Sequence, residues 1–140
     1  TALVEDVYTG KTFYIKRTFG TNHADVEALT AKDTATIRSI WGGFSWERRP
    51  VIVNTNNRRI AASLAAMPHA GKDSAPGVAI TNNRSGGYGR GQNLDLVKGN
   101  NMNGVMDLHF LNSMSHKDGK IKAKVNPAHQ RAVEIAARAK

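Results

Sequence analysis

The segment 104–116 carries the residue types best suited to chemistry in this sequence. Its first part has the pattern of a strand, so its side chains should point alternately to two faces. Three apolar side chains would face a core: Met106, Leu108 and Phe110. Asp107 and His109 would lie side by side on the opposite face, where a carboxylate and an imidazole could bind a metal or exchange protons. The alternative interpretation is a half-buried strand with an ordinary polar face.

A second pair, His23 and Asp25, is two residues apart, so both side chains would reach one point in an extended chain. Together with His109 they would supply two imidazoles and a carboxylate. Three such ligands leave the fourth position of a tetrahedral zinc open for water, and zinc can then activate that water and polarise a carbonyl. The sequence therefore predicts zinc on His23, Asp25 and His109. The alternative is a local turn in which Asp25 accepts backbone hydrogen bonds.

Three further residues are predicted to be catalytic, as a base or by orienting a ligand: Asp107, His69 and His116. Most histidines of the chain stand at strand ends or turns beside Gly, Asn or Asp, where a rigid scaffold usually displays working residues. His129 is the exception, because it shares a helical stripe with Ala132 and Val133 and is predicted to pack or cap.

The elements that must position these residues indicate one α+β domain over residues 1–140, with a mostly antiparallel sheet and two or three helices. Helices are predicted after the caps Thr30 and Asn126. A hairpin should turn at residues 54–57, where three of four residues are Asn. A short helical turn is expected at 94–98, and the glycine-rich segment 82–92 is expected to be a flexible loop facing the substrate.

Composition narrows the classes of function. The chain has 140 residues, no cysteine and a net charge of +9. The lack of cysteine excludes disulfides, a cysteine nucleophile and thiolate metal ligands. The positive charge attracts polyanions, and both nucleic acids and the anionic polymers of a bacterial wall are of this kind. No stretch approaches the roughly 20 apolar residues of a membrane span, so no membrane partner is expected.

Several blocks resemble a domain of cell-wall proteins from clostridia and related Firmicutes, which usually accompanies a peptidoglycan-binding module. The blocks are 16–27, 40–46, 59–63, 67–71 and 108–113. The order His23, Asp25, His109 is also similar to that of zinc peptidases that cut peptidoglycan stems. Residues 108–119 are faintly similar to the histidine strand and loop of L,D-transpeptidases, whose nucleophilic cysteine this chain lacks.

The resemblance implies a secreted or wall-associated, peptidoglycan-directed protein. We therefore expect a hydrolase of endolysin or autolysin type that uses a metal to cleave an amide bond in the wall peptide. One alternative is a wall-binding domain without catalysis, which would bind peptidoglycan or anionic wall polymers through its basic surface. A basic nucleic-acid-binding module is the second alternative, but aromatic residues make up only 6% of the chain and no recognition motif is present.

Overall fold

A computed structural model describes residues 1–114 and 124–140. The main sheet has six strands: Ala2–Asp6 (β1), Thr12–Phe19 (β2), Ala24–Ala28 (β3), Arg48–Thr55 (β4), Arg58–His69 (β5) and Val105–His109 (β8). They form a closed barrel in the order β1, β2, β3, β8, β5, β4, and every neighbouring pair is antiparallel. A separate hairpin consists of Ile80–Arg84 (β6) and Gly89–Gln92 (β7). This confirms an α+β class with mostly antiparallel strands and specifies it as a barrel.

Within the described ranges, two α-helices accompany the barrel, Ala31–Trp41 (α1) and Pro127–Ala139 (α2). The predicted caps are confirmed. Thr30 and Asp33 form a reciprocal capping box, and Gly42 ends α1 in the left-handed conformation. The side chain of Asn126 accepts a hydrogen bond from the backbone of His129 at the start of α2. In the described part of the chain, no helix is both long enough and apolar enough to span a membrane.

The barrel is filled by alternating side chains, as the period of a strand requires. Met106 and Leu108 of β8 are buried in the core, and Phe110 packs against it. Asp107 and His109, from the intervening positions, face a cavity on the other side. The predicted division of residues 104–110 between two faces is therefore confirmed.

Two local predictions were wrong. The segment 82–92 forms part of the β6–β7 hairpin, because the guanidinium of Arg84 donates to the carbonyls of Tyr88, Gly89 and Gln92 and ties the two arms together. No helical turn forms at 94–98. The backbone N–H groups of Leu96 and Val97 donate to the buried carboxylate of Glu27 instead, at 2.8 and 3.2 Å.

The neighbouring strands β3, β8 and β5 position the polar side chains that face this cavity. Asp25 of β3 stands directly opposite Asp107 of β8. On the other side of β8, the pairing with β5 shifts register between Ala65 and His69, so that His69 pairs with Val105. Such an irregularity lets the last residues of a strand turn a side chain toward a site that a regular ladder would miss.

Candidate metal centre

Three side chains converge at the floor of the cavity. The His23 Nε2 atom lies 2.9 Å from Asp107 Oδ1 and 3.2 Å from Asp25 Oδ1. One ligand atom from each of the three residues lies within 4.8 Å of the other two. Imidazole nitrogen and carboxylate oxygen are donors that divalent transition metals accept, and zinc among them commonly binds three such ligands. The cluster of His23, Asp25 and Asp107 could therefore hold a metal ion.

The two carboxylates of this cluster are direct cross-strand partners. Like charges at opposed positions of an antiparallel pair repel each other, and burial strengthens the repulsion. Asp25 is buried and the Asp107 side chain is 17% exposed. Such a pair needs positive charge between its members. In the structure the ring of His23 provides a partner for both, and a bound cation would do so more strongly.

The tautomers of His23 and His69 are set by the backbone. His23 Nδ1 lies 3.0 Å from the Met114 carbonyl, and His69 Nδ1 lies 2.8 Å from the Met67 carbonyl. A carbonyl only accepts, so each Nδ1 must carry the proton. Both Nε2 atoms face Asp107 Oδ1, His69 at 3.3 Å and His23 at 2.9 Å. An ionised carboxylate also only accepts, so without a metal each ring donates from Nε2 as well. Metal-binding histidines are usually held in this way.

Two glycines allow the backbone around these histidines to pack closely. A Cβ at Gly104 would lie 2.0 Å from the carbonyl oxygen of His69, and one at Gly20 would lie 2.0 Å from that of His23. Both glycines also have a positive φ, +102° and +110°. Any side chain at either position would have to displace the backbone of His69 or His23.

Charge is strongly coupled within the cluster. Burial by itself lowers the pKa of His23, but hydrogen bonds to Asp107 and Asp25 outweigh it and raise that pKa to about 10. Burial by itself raises the pKa of Asp107, yet its hydrogen bonds to His23 and His69 hold the pKa well below its usual value. The pKa of His69 is raised, because its bond to Asp107 outweighs the effect of burial. Without a metal, protons on the histidines balance the carboxylates.

Three imidazole rings stack beside the cluster. The His109 ring lies parallel to His23 with centroids 4.5 Å apart, and parallel to His129 at 3.7 Å. Burial, and then the charge of His23, lower the pKa of His109 to about 4. Burial and the neighbouring His109 lower that of His129 to about 3. His129 also bonds Ser63 through Nδ1, at 2.7 Å. The rings of His109 and His129 are therefore neutral at pH 7.

The predicted ligand set is thus only partly reproduced by the geometry. His23 and Asp25 are in the cluster, and Asp107, predicted as a catalytic residue, completes it. His109 stacks against His23, and its role as a ligand stays a prediction. His69, the second predicted catalytic residue, reaches Asp107. His116, the third, lies outside the described residues.

The cavity above the cluster measures about 720 Å³. The rings of Trp46 and Tyr88 both contact the ring of His69, with centroids 5.1 and 5.3 Å away. Arg48 and Arg84 also line the cavity. The sequence gave no local signal for Arg48, which begins β4.

No protein-family model, curated protein or solved structure matches this chain significantly.

Proposed function

We propose that this protein is a metal-dependent hydrolase that cleaves an amide bond in the peptide of the bacterial wall. The observation that carries the proposal is the convergence of His23, Asp25 and Asp107 at the floor of a large cavity, with His69 beside them. Zinc is the proposed metal, because the donors are one imidazole and two carboxylates. Three protein ligands also leave room for a water or substrate atom.

Each residue has a distinct role in this proposal. His23, Asp25 and Asp107 would hold the metal, which when bound would polarise the scissile carbonyl and acidify a water molecule. His69 would be the general base. Its Nδ1–H is fixed on the Met67 carbonyl, and without a metal its Nε2–H faces the Asp107 carboxylate. With Asp107 held by the metal, Nε2 would give up that proton and become the atom that accepts one from water. A positioned base of this kind contributes roughly 10²- to 10⁴-fold to the rate.

The surroundings of His69 suit that role. The rings of Trp46 and Tyr88 restrict its motion, and Asp107 Oδ1 lies 3.3 Å from its Nε2. Asp107 would therefore serve both the metal and the base, which accounts for the predicted catalytic role of this residue. His109, neutral and stacked on His23, would hold the ligand ring in its plane.

The wall as target is supported by the resemblance of five sequence blocks to cell-wall proteins and by the net charge of +9. The charge would concentrate the protein on anionic wall polymers. A secreted or wall-associated location follows from that target. A purely wall-binding domain would share the basic surface, but it gives no reason for two opposed carboxylates and two oriented histidines in one cavity.

The test combines wall clearing with metal analysis. We expect purified walls to lose turbidity with the zinc-loaded protein, the activity to disappear in EDTA, and zinc to restore it. Asp25→Asn should lose both zinc and activity. His69→Gln should keep zinc but lose activity by at least 100-fold. Arg58→Gln, at the exposed start of β5, is the control for a surface change.

Three results would count against the proposal. Full activity in a protein shown to contain no metal would exclude the metal-dependent mechanism. Loss of zinc in His69→Gln would make His69 a ligand and remove it as the base. Tight, salt-sensitive binding to walls without any turnover would favour the wall-binding alternative.

A further inference from the structure

Arg48 has an unused donor in the cavity. It is the first residue of β4 and lines the cavity beside Trp46. Its Nη1 donates to the Trp46 carbonyl at 3.1 Å. Its Nε is buried and has no hydrogen-bond partner among residues 1–114 and 124–140. A buried N–H without a partner is costly, and more so when it is charged, so a polar group is expected there when the protein acts.

The nearby arginines Arg84 and Arg49 already have hydrogen-bond partners. Arg84 uses Nε, Nη1 and Nη2 on three backbone carbonyls of the hairpin. Arg49 points to the opposite face of β4 and uses Nε and Nη2 to hold both oxygens of Asp6, each at 2.9 Å. Within the described ranges, Arg48 makes no ion pair, and neither its Nε nor its Nη2 makes a hydrogen bond.

Arg49 shows which ligand the Nε and Nη2 groups of an arginine bind in this protein. The Nε and Nη2 groups of a guanidinium form a planar fork whose spacing matches the two oxygens of a carboxylate. The chain uses this edge of Arg49 for a carboxylate. The same edge of Arg48 makes no hydrogen bond among the described residues, and Arg48 lines the cavity together with His109 and His129.

The formal charge of the cavity also favours an anionic ligand. A divalent cation with Arg48 and Arg84 outweighs the carboxylates of Asp25 and Asp107, so the loaded cavity is positive. Excess positive charge in a cleft with low-dielectric walls attracts an anionic substrate.

We infer that Arg48 binds a carboxylate of the peptide substrate, so that the enzyme selects peptides with a free carboxylate near the scissile amide. This inference rests on the proposed hydrolase function. The carboxylate could be the C-terminal one or that of an acidic residue within the stem, and both offer the same pair of oxygens.

Three synthetic wall stem pentapeptides separate these sources. One has all carboxylates free, one has a C-terminal amide, and one has an amidated acidic side branch. Hydrolysis is followed with the zinc-loaded protein. Binding is measured by calorimetry with EDTA present, so that no turnover occurs. The variants are Arg48→Gln, Arg48→Lys and the control Arg58→Gln, which removes a charge from an exposed position. Circular dichroism checks that each variant is folded.

We expect the wild type to bind the fully free peptide about 10- to 100-fold more tightly than one of the amides, because charge-assisted hydrogen bonds carry a discrimination of that size. Arg48→Gln should lose this preference through KM, with a smaller change in kcat. Arg48→Lys should keep only part of it, since an ammonium group lacks the planar fork. Arg58→Gln should behave like the wild type.

The outcomes distinguish the two proposals. Equal binding of all three peptides by the wild type, or an unchanged preference in Arg48→Gln, overturns the role of Arg48 even if hydrolysis is metal-dependent. Absence of hydrolysis with an intact, Arg48-dependent preference in calorimetry supports the carboxylate site and counts against the hydrolase. A loss of kcat alone in Arg48→Gln also overturns the inference, because it would place the guanidinium on the transition state.

Discussion

Asp107→Asn is the substitution that tests the cluster most directly. The Asp107 Oδ1 atom contacts the Nε2 atoms of both His23 and His69, and the residue stands opposite Asp25 in the sheet. Asparagine has nearly the same shape but no charge, so it removes one of the two anionic ligands while filling the same space. We expect the affinity for zinc to fall by at least about 100-fold, because even residues that only orient a ligand cost 10- to 100-fold.

The size of the effect follows from linkage. A ligand at 100 times its Kd stabilises the folded state by about 2.7 kcal/mol. For a chain of 140 residues, unfolding entropy near the midpoint is roughly 0.3 kcal/mol per kelvin, so zinc at that level should raise Tm by about 9 °C. With affinity reduced 100-fold, the same zinc concentration should raise the Tm of Asp107→Asn by only about 1 °C.

The measurement is thermal unfolding by circular dichroism, with and without zinc, for the wild type, Asp107→Asn and Glu134→Gln. Glu134 lies on the exposed face of α2, so its variant controls for the loss of one negative charge outside the cluster. A Tm increase in Asp107→Asn as large as that of the wild type would refute the reasoning. Equal loss of the increase in Glu134→Gln would show that zinc responds to general charge.

Three further predictions concern stability, measured by urea unfolding. Asp6→Asn should cost about 3 kcal/mol at pH 7, because it breaks a buried ion pair with Arg49. Burial by itself raises the pKa of Asp6, but hydrogen bonds from Arg49 and Thr9 outweigh it and hold that pKa below its ordinary 3.8. The unfolded state therefore binds the proton first, so the difference in stability from the wild type should stay constant above a pH of about 4 and shrink as the pH falls below it. Thr30→Ala should cost about 1 kcal/mol through loss of the α1 cap, and an unchanged midpoint would contradict the capping box. Gly104→Ala should cost about 3 kcal/mol or more and displace His69, whereas Gly10→Ala, at a φ of +74° with open space around it, should cost only about 1 kcal/mol.

The parts of the fold that the sequence predicted correctly are those determined by local chemistry. Thr30 and Asn126 each cap the helix that follows them, because a cap needs only residues within one turn. The period of two in 104–110 separates Met106 and Leu108 from Asp107 and His109, because alternation is a property of any strand.

The features that the sequence did not reveal depend on distant pairing. Nothing near Leu96 shows that its N–H bonds Glu27, a residue 69 positions earlier, in place of a helical carbonyl. The approach of His69 to Asp107 requires a register shift in β5, and a hydrophobic pattern does not encode such a shift. Closure of the barrel likewise depends on all six strands at once.

The candidate site was also predictable only where local spacing determines it. His23 and Asp25 were recognisable as a pair, because two residues at that spacing on a strand share a face. Their partner on β8 was harder to choose, since Asp107 and His109 both point to the cavity. The register with β3 decides it by setting Asp107 directly across from Asp25.

Asp25 and Asp107 lie on the adjacent barrel strands β3 and β8, and His23, immediately before β3, is 84 residues from Asp107 along the chain. An ion held by them would join β3 to β8 as a covalent cross-link would, closing a long loop of the polypeptide. Unfolding of the loaded protein should therefore begin elsewhere, and these two strands should exchange their amide hydrogens last.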